Sequence, residues 1–198
     1  MSRQIDHLVI GAATLDQGAA WCEATFGVAP GPGGKHALMG THNRLLSLSS
    51  QAFPRCYLEV IAIDPEAPAP SRRRWFELDD PVLQAALAEQ PRLIHWVARC
   101  DDLAAECAAS AAAGVDRGEI LAAERATPQG LLRWRIAVRA DGRRPGGGAL
   151  PTLIEWGDVH PADQLPASPL RLAAFDAKAC VAQIDSPNGR IRLEGFIA

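Results

Sequence analysis

Two short apolar runs constrain this chain most, because each sets one histidine inside what its composition marks as a buried strand. They are Ile5-Asp-His-Leu-Val-Ile10 and Leu93-Ile-His-Trp-Val-Ala98. Runs of β-branched and aliphatic residues bounded by turn signals read as strands. Each run leads into the same kind of segment. Thr14 or Asp16 can cap a helix over roughly 16–26 that stops at Phe26-Gly27, and Asp101-Asp102 can cap an alanine-rich helix to Ala113 that stops at Gly114. After the first helix come a loop at Pro30–Gly34, two short strands near 36–40 and 44–49, and a strand over 56–63. After the second come a loose strand near 118–123, a clear strand over 131–138, a glycine-rich hairpin loop at 141–148 and a strand over 151–156. Both halves read β-α-β-β-β. They repeat at an interval of about 88 residues, and a repeat of that size sets the fold before any single element does.

The predicted class is α+β, with two tandem βαβββ units over 1–64 and 93–159. A linker over 65–92 carries three prolines in Pro65–Pro70 and a helix after Asp80-Pro81. A C-terminal β extension over 160–198 contains a hairpin around Ser186-Pro187-Asn188-Gly189 and is expected to pack beside the second half.

Glu59 lies in the middle of the apolar run Tyr57-Leu-Glu-Val-Ile-Ala62, and Glu155 lies in Pro151-Thr-Leu-Ile-Glu-Trp156. A carboxylate there is costly unless a cation or hydrogen bonds stabilise it. His7, Glu59, His95 and Glu155 therefore form a candidate metal site drawn from four strands. Imidazole nitrogens with carboxylate oxygens suit a divalent first-row metal such as Zn, Ni, Co, Mn or Fe(II). Taken singly, each has a plainer reading, a hydrogen-bonded core histidine or a glutamate at a sheet edge. Residues two apart on a strand share a face, so Tyr57, Glu59 and Ile61 point together, as do Ile5, His7 and Val9. By the same alternation Trp96 and Trp156 point away from the metal.

His36 and His42 share a face if 36–42 runs extended, and then line the cavity; as loop residues they meet water. Asn43 is a candidate to hydrogen-bond a substrate. Arg133 and Arg135 alternate with Leu132, Trp134 and Ile136. If their face is a cavity wall they clamp a carboxylate or phosphate; at an edge they meet solvent.

With this order of elements and these motifs, the chain resembles the vicinal oxygen chelate superfamily of glyoxalase I, extradiol dioxygenases and bleomycin-resistance proteins. Ile5-Asp-His-Leu-Val-Ile10, Gly40-Thr-His-Asn43 and Tyr57-Leu-Glu-Val-Ile-Ala62 are most similar to its glyoxalase-like domain proteins. The resemblance implies a curved mixed sheet cupping a cavity, with metal ligands on the first and fourth strands of each unit. His7, Glu59, His95 and Glu155 hold those places, and Glu155 would also leave the metal to act as general base. It implies a metal-dependent lyase or isomerase acting on a small carbonyl or diol substrate, and a possible homodimer. The alternatives are a metal-free binding or resistance protein of the same fold and an Fe(II) extradiol dioxygenase.

Composition narrows the rest. Hydrophobic residues make up 48% and charged residues 22%, with a formal net charge of -3, which gives no footing for nucleic acid. No apolar run approaches the ~20 residues that span a bilayer, and the N-terminus shows no leader, so a cytoplasmic enzyme with a small-molecule substrate is expected. The 5 cysteines are odd in number and form no Cys-x-x-Cys pair, against a disulfide framework or zinc ribbon.

Overall fold

The structure, a computed structural model, describes residues 4–196. Met1–Arg3, part of the N-terminus from which the absence of a leader was read, lie outside the described residues. The helices start where side chains can accept from free amides. For α1 (Leu15–Phe26) the Thr14 side chain accepts from the Gln17 N–H, and Gly27 at φ 76° ends it. Asp80 accepts from the Val82 and Leu83 amides at α2 (Pro81–Glu89), and Asp102 from the Ala105 amide at α3 (Leu103–Ala112).

The first unit is β1 (Gln4–Gly11), α1, β2 (Gly31–His36), β3 (Thr41–Ser47) and β4 (Tyr57–Ile63). The second is β5 (Arg92–Arg99), α3, β6 (Glu119–Thr127), β7 (Gly130–Val138) and β8 (Thr152–Trp156). Their strands form one mixed sheet in the order β2-β3-β4-β1-β5-β8-β7-β6. β1 and β5 run antiparallel at its centre, while β1–β4 and β5–β8 pair in parallel. The sheet curls until its two edge strands, β2 and β6, approach each other, leaving a cavity within.

Two local expectations change. Pro30–Gly34, read as loop, mostly belongs to edge strand β2, and 37–40, read as strand, is the turn after it. Proline is tolerated at a sheet edge, and glycine allows close approach of the neighbouring backbone. A Cβ at Gly33 would overlap the Asn43 carbonyl oxygen, so only glycine lets β2 lie this near β3.

The convex face carries α1, α3 and a second sheet of β9 (Arg171–Asp176), β10 (Val181–Ser186) and β11 (Gly189–Glu194). Leu172, Ala182 and Ile184 join Leu8, Phe26, Leu48 and Leu153 in one core. The extension was expected beside the second half. It does pack there, with Phe175 against Trp96 and the Phe196 amide donating to the Leu93 carbonyl. It also reaches across to the first half, where Asn188 Nδ2 donates to the Ala24 and Thr25 carbonyls of α1 and the Leu172 amide donates to the Leu48 carbonyl.

The concave face is partly filled by the segment read as a linker. Trp75, Phe76, Leu78, Leu83 and Leu87 pack against Val9, Ile61, Val97 and Ile136. Phe76 and Glu77 have φ of 57° and 61°, a left-handed region that costs a non-glycine residue on the order of 1–3 kcal/mol. Burial of Phe76 and the pairing of Glu77 with Arg144 hold them there.

Gly18 lies where α1 crosses β4, and a Cβ there would overlap Val60 Cγ1. Alanine is the better helix former by about 1 kcal/mol, but overpacking a core costs roughly 1–3 kcal/mol. Gly18→Ala is therefore expected to lower stability by up to about 2 kcal/mol, read from the midpoint of a urea titration. An unchanged or higher midpoint would mean that Val60 moves aside freely.

Candidate active site

The site begins with an irregularity in β1. In its ladder with β5, Ile5 pairs with Ala98 and His7 with Val97, so Asp6 is the extra residue of a β-bulge. An ideal strand would send Asp6 and His7 to opposite faces. Here His7 Nδ1 donates to Asp6 Oδ1 at 2.7 Å. Ile5 joins the convex core instead of sharing the face of His7 and Val9. Asp6 Oδ2 also accepts from His160 Nε2 at 2.8 Å and Trp156 Nε1 at 3.0 Å. Asp6 is fully buried. Burial would raise its pKa, yet the hydrogen bonds from His160 and His7 hold its carboxyl well below the usual carboxylate range.

On the other side of the His7 ring, Nε2 faces Glu59 Oε2 at 3.5 Å. The ring stacks on Tyr57, with centroids 4.6 Å apart. Burial would pull the His7 pKa down, but hydrogen bonds to Asp6 and Glu59 outweigh it and raise it to about 9. His7 is an imidazolium between two carboxylates. Glu59 is likewise kept ionised: burial works against it, while His7 and Asn43 lower its pKa.

Asn43 is the hub of the opposite wall. Its Nδ2 donates to Glu59 Oε1 at 2.7 Å and lies 3.2 Å from His36 Nε2. Its Oδ1 accepts from the Gly34 amide at 2.8 Å and from an Arg125 guanidinium nitrogen at 3.3 Å. These partners assign the amide orientation. They also make His36 Nε2 an acceptor, so that Nδ1–H donates to Thr41 Oγ1 at 3.0 Å. Burial pushes the His36 pKa down to about 4, in keeping with a neutral ring. Asn43 thus positions Glu59 rather than waiting free for a substrate.

The resulting cavity measures about 40 Å³, room for a few water-sized groups at roughly 10–15 Å³ each. His7, Glu59 and Arg125 face it across walls of Trp75, Phe76, Trp134 and Trp156. Trp156, expected to point away, lines it.

The other expected residues go elsewhere. Ile154 and Trp156 take the concave face of β8, so Glu155 must take the convex one. There it accepts from the Leu103 amide at the start of α3 and from both Nε and a terminal nitrogen of Arg135. Arg135 is thereby occupied, and Arg133 pairs with Glu124 while largely exposed. The apolar side chains of β7, not its arginines, form the cavity wall. His42 leaves the cavity because 37–40 turns back: it sits on β3 opposite Lys35 and 4.0 Å from Asp64.

His95 does face inward, yet its Nε2 lies 3.1 Å from both Thr152 Oγ1 and the Thr152 amide. The ladders explain this. Val9, two residues beyond His7, pairs with Glu59; Val97, two residues beyond His95, pairs with Thr152. Thr152, not Glu155, is the counterpart of Glu59, so the second unit carries a His–Thr pair where the first carries His–Glu. Four ligands therefore do not converge. Among the described residues no group of three or more His, Cys, Asp or Glu side chains is arranged to hold a metal ion. The expected His7–Glu59–His95–Glu155 set does not fit a metal.

Buried neutral histidines make the fold acid-sensitive. Burial, with Arg144 nearby, takes the His95 pKa down to about 3. The native state binds fewer protons here than the unfolded chain, so stability falls as pH drops below 6.5, by up to roughly 1.4 kcal/mol per pH unit for each such histidine. His95→Gln is expected to flatten the loss between pH 6.5 and 4.5 in urea titrations. Parallel slopes for both proteins would contradict this.

Sequence reasoning passed over Asp6, His160 and Arg125. Asp6 sits in the quoted motif, but its orientation depends on the bulge. His160 opens the C-terminal extension, and Arg125 lies in the part of β6 beyond the strand expected near 118–123; neither carries a local signal.

Known proteins share the outline of this fold. The family described as "Glyoxalase-like domain" matches residues 5–190. A hypothetical protein from Staphylococcus aureus superposes with a TM-score of 0.61 at 13% identity, covering 98% of this chain and 87% of that one. A variant of Streptomyces coelicolor methylmalonyl-CoA epimerase in complex with 2-nitronate-propionyl-CoA superposes with a TM-score of 0.50 at 21% identity, covering 80% of this chain and 99% of that one. At such identities these two show a shared fold and nothing further. No curated protein matches the chain.

Proposed function

We propose that this chain, which belongs to the glyoxalase-like domain family, is an isomerase- or lyase-type enzyme that moves a proton at a carbon next to a carbonyl in a small substrate. The observation that carries the reading is the pairing of an ionised carboxylate, Glu59, with an imidazolium, His7, 3.5 Å apart and facing one cavity. A carboxylate is the base and a positioned N–H the electrophile that enolisation needs.

In the proposed reaction the substrate carbonyl oxygen accepts a hydrogen bond from His7 Nε2–H. Glu59 Oε2 takes the proton from the adjacent carbon. The C–H electron pair becomes the C=C bond of the enol, and the carbonyl oxygen takes the proton from His7. Return of the proton from Glu59 to the same face of that carbon, as the enol O–H proton goes back to His7, gives exchange. Delivery of a proton to the opposite face gives epimerisation. In an α-hydroxy carbonyl substrate, whose intermediate is an enediol, return at the former carbonyl carbon gives isomerisation. Asn43 holds Glu59 in place through Oε1, leaving Oε2 for the reacting proton. Asp6 stabilises the charge on His7 and fixes Nδ1–H, so that Nε2 faces the substrate. The aromatic walls exclude water, which strengthens both interactions. No step is assigned to a metal, since the expected ligand set does not converge.

The test is proton exchange. Small ketones, 2-oxo acids and 3-oxo acids are incubated with the protein in D2O and followed by NMR. Deuterium entering next to the carbonyl at a rate set by protein concentration supports the reading. Ligand binding with no exchange by any member would point instead to a binding protein, a reading the small cavity also accommodates.

A further inference from the structure

We infer that Arg125 is the residue that recognises the substrate, and that the substrate class is small monocarboxylates. This deepens the acid–base reading, on which it rests, by naming what the cavity selects.

Arg125 comes from β6, one free edge of the sheet, and reaches toward β2, the other. It enters through a slot made by glycine: a Cβ on Gly34 would overlap the Arg125 guanidinium. The guanidinium lines the same cavity as His7 and Glu59. Its own hydrogen bonding is nearly empty. One terminal nitrogen donates to Asn43 Oδ1 at a long 3.3 Å, and the buried Nε has no partner. Among the described residues Arg125 makes no ion pair, whereas Arg135, Arg139 and Arg144 are each held by a carboxylate. Glu59 is the nearby acid, but Asn43 and His7 hold it. A planar fork with unused parallel donors, facing a small cavity, is matched by a carboxylate, which accepts two such donors at once. Charge agrees. Asp6 and Glu59 balance His7 and Arg125, and of the two cations only the guanidinium makes no ion pair among the described residues, which leaves its donors for an anionic ligand. The cavity holds only a few atoms, which restricts that anion to a small molecule.

The arrangement also orders the substrate. With its carboxylate on Arg125 and its carbonyl oxygen on His7 Nε2, the carbon between or beside them lies over Glu59 Oε2.

The experiment is a binding comparison. Acetate, pyruvate, 2-oxobutyrate and acetoacetate are titrated against wild type, Arg125→Gln, Gly34→Ala and Glu59→Gln by calorimetry and NMR, each beside its neutral amide. Wild type is expected to bind at least one acid 10-fold or more tighter than its amide. Arg125→Gln should erase that preference, and Glu59→Gln should keep it. Gly34→Ala keeps the charge but displaces the guanidinium, and should weaken the preference several-fold even if Arg125→Gln proves too unstable to use. An acid-over-amide ratio unchanged in both Arg125→Gln and Gly34→Ala overturns the inference, as does a wild type that binds no acid. The exchange assay is read separately. Acid selectivity without deuterium incorporation would retain Arg125 as the recognition residue and reject the acid–base reading.

Discussion

Glu59→Gln is expected to lower the rate of protein-catalysed deuterium exchange by about 10²–10⁴-fold, the range over which a positioned base contributes. The substitution is nearly isosteric. The amide oxygen can still accept from Asn43 Nδ2, so Glu59→Gln should fold and bind. What it loses is the ability to take a proton, so the loss should fall on turnover rather than on ligand affinity. The variant also removes one of the two carboxylates that raise the His7 pKa. His7 in Glu59→Gln is therefore expected to titrate below the wild-type value of about 9, which ring-proton NMR reports. Exchange at an undiminished rate would remove Glu59 from the chemistry.

The second large effect is at Asp6. Asp6→Asn keeps the shape but removes the charge and places an NH2 where His7, His160 or Trp156 now donates. Removing one member of a buried ion pair typically costs about 3–5 kcal/mol, and a comparable loss is expected at pH 6. The pH dependence separates this from general damage. His7 has a folded pKa above its unfolded value, so its contribution is fully present below about 6.5 and is lost as pH rises through about 9; in all it is on the order of 3 kcal/mol. Asp6 has a folded pKa below its unfolded value, so its contribution holds above about 3.8 and is lost as pH falls. Wild type should therefore lose stability between pH 6.5 and 9, and Asp6→Asn, whose His7 is no longer held charged, should lose much less over that window. Identical slopes would show that Asp6 does not set the His7 charge. In the exchange assay the same variant should impair turnover through His7 while leaving acid-over-amide selectivity, which rests on Arg125, in place.

The repeat of two apolar runs with embedded histidines was enough to place both βαβββ units, because strands and caps are written in local patterns of apolar residues and in Thr14 and Asp102. The inward faces of His7, His95, Tyr57 and Glu59 also came from the sequence, since alternation along a strand is local. Alternation does not carry from one strand to the next. Glu155 lies at a spacing like that of Glu59, yet loops of different length shift β8, so Thr152 takes the corresponding place and Glu155 faces the helices. His36 and His42 were parted by a turn that their spacing did not reveal.

The pairing of His7 with Glu59 proposed for the chemistry was decided by tertiary structure. A single bulge in β1 turns Asp6 onto His7, and a histidine at position 160 reaches the same carboxylate from the other end of the chain. Curling of the sheet brings Arg125 and Gly34, from opposite edges, into one slot. Local sequence determines which face a residue takes within its own strand, because backbone sterics act over a few residues. Which strands meet, with what register, and which charges then share one low-dielectric cavity depend on packing across the whole sheet. That packing turned four expected metal ligands into one His–Glu pair, one His–Thr pair and a helix cap.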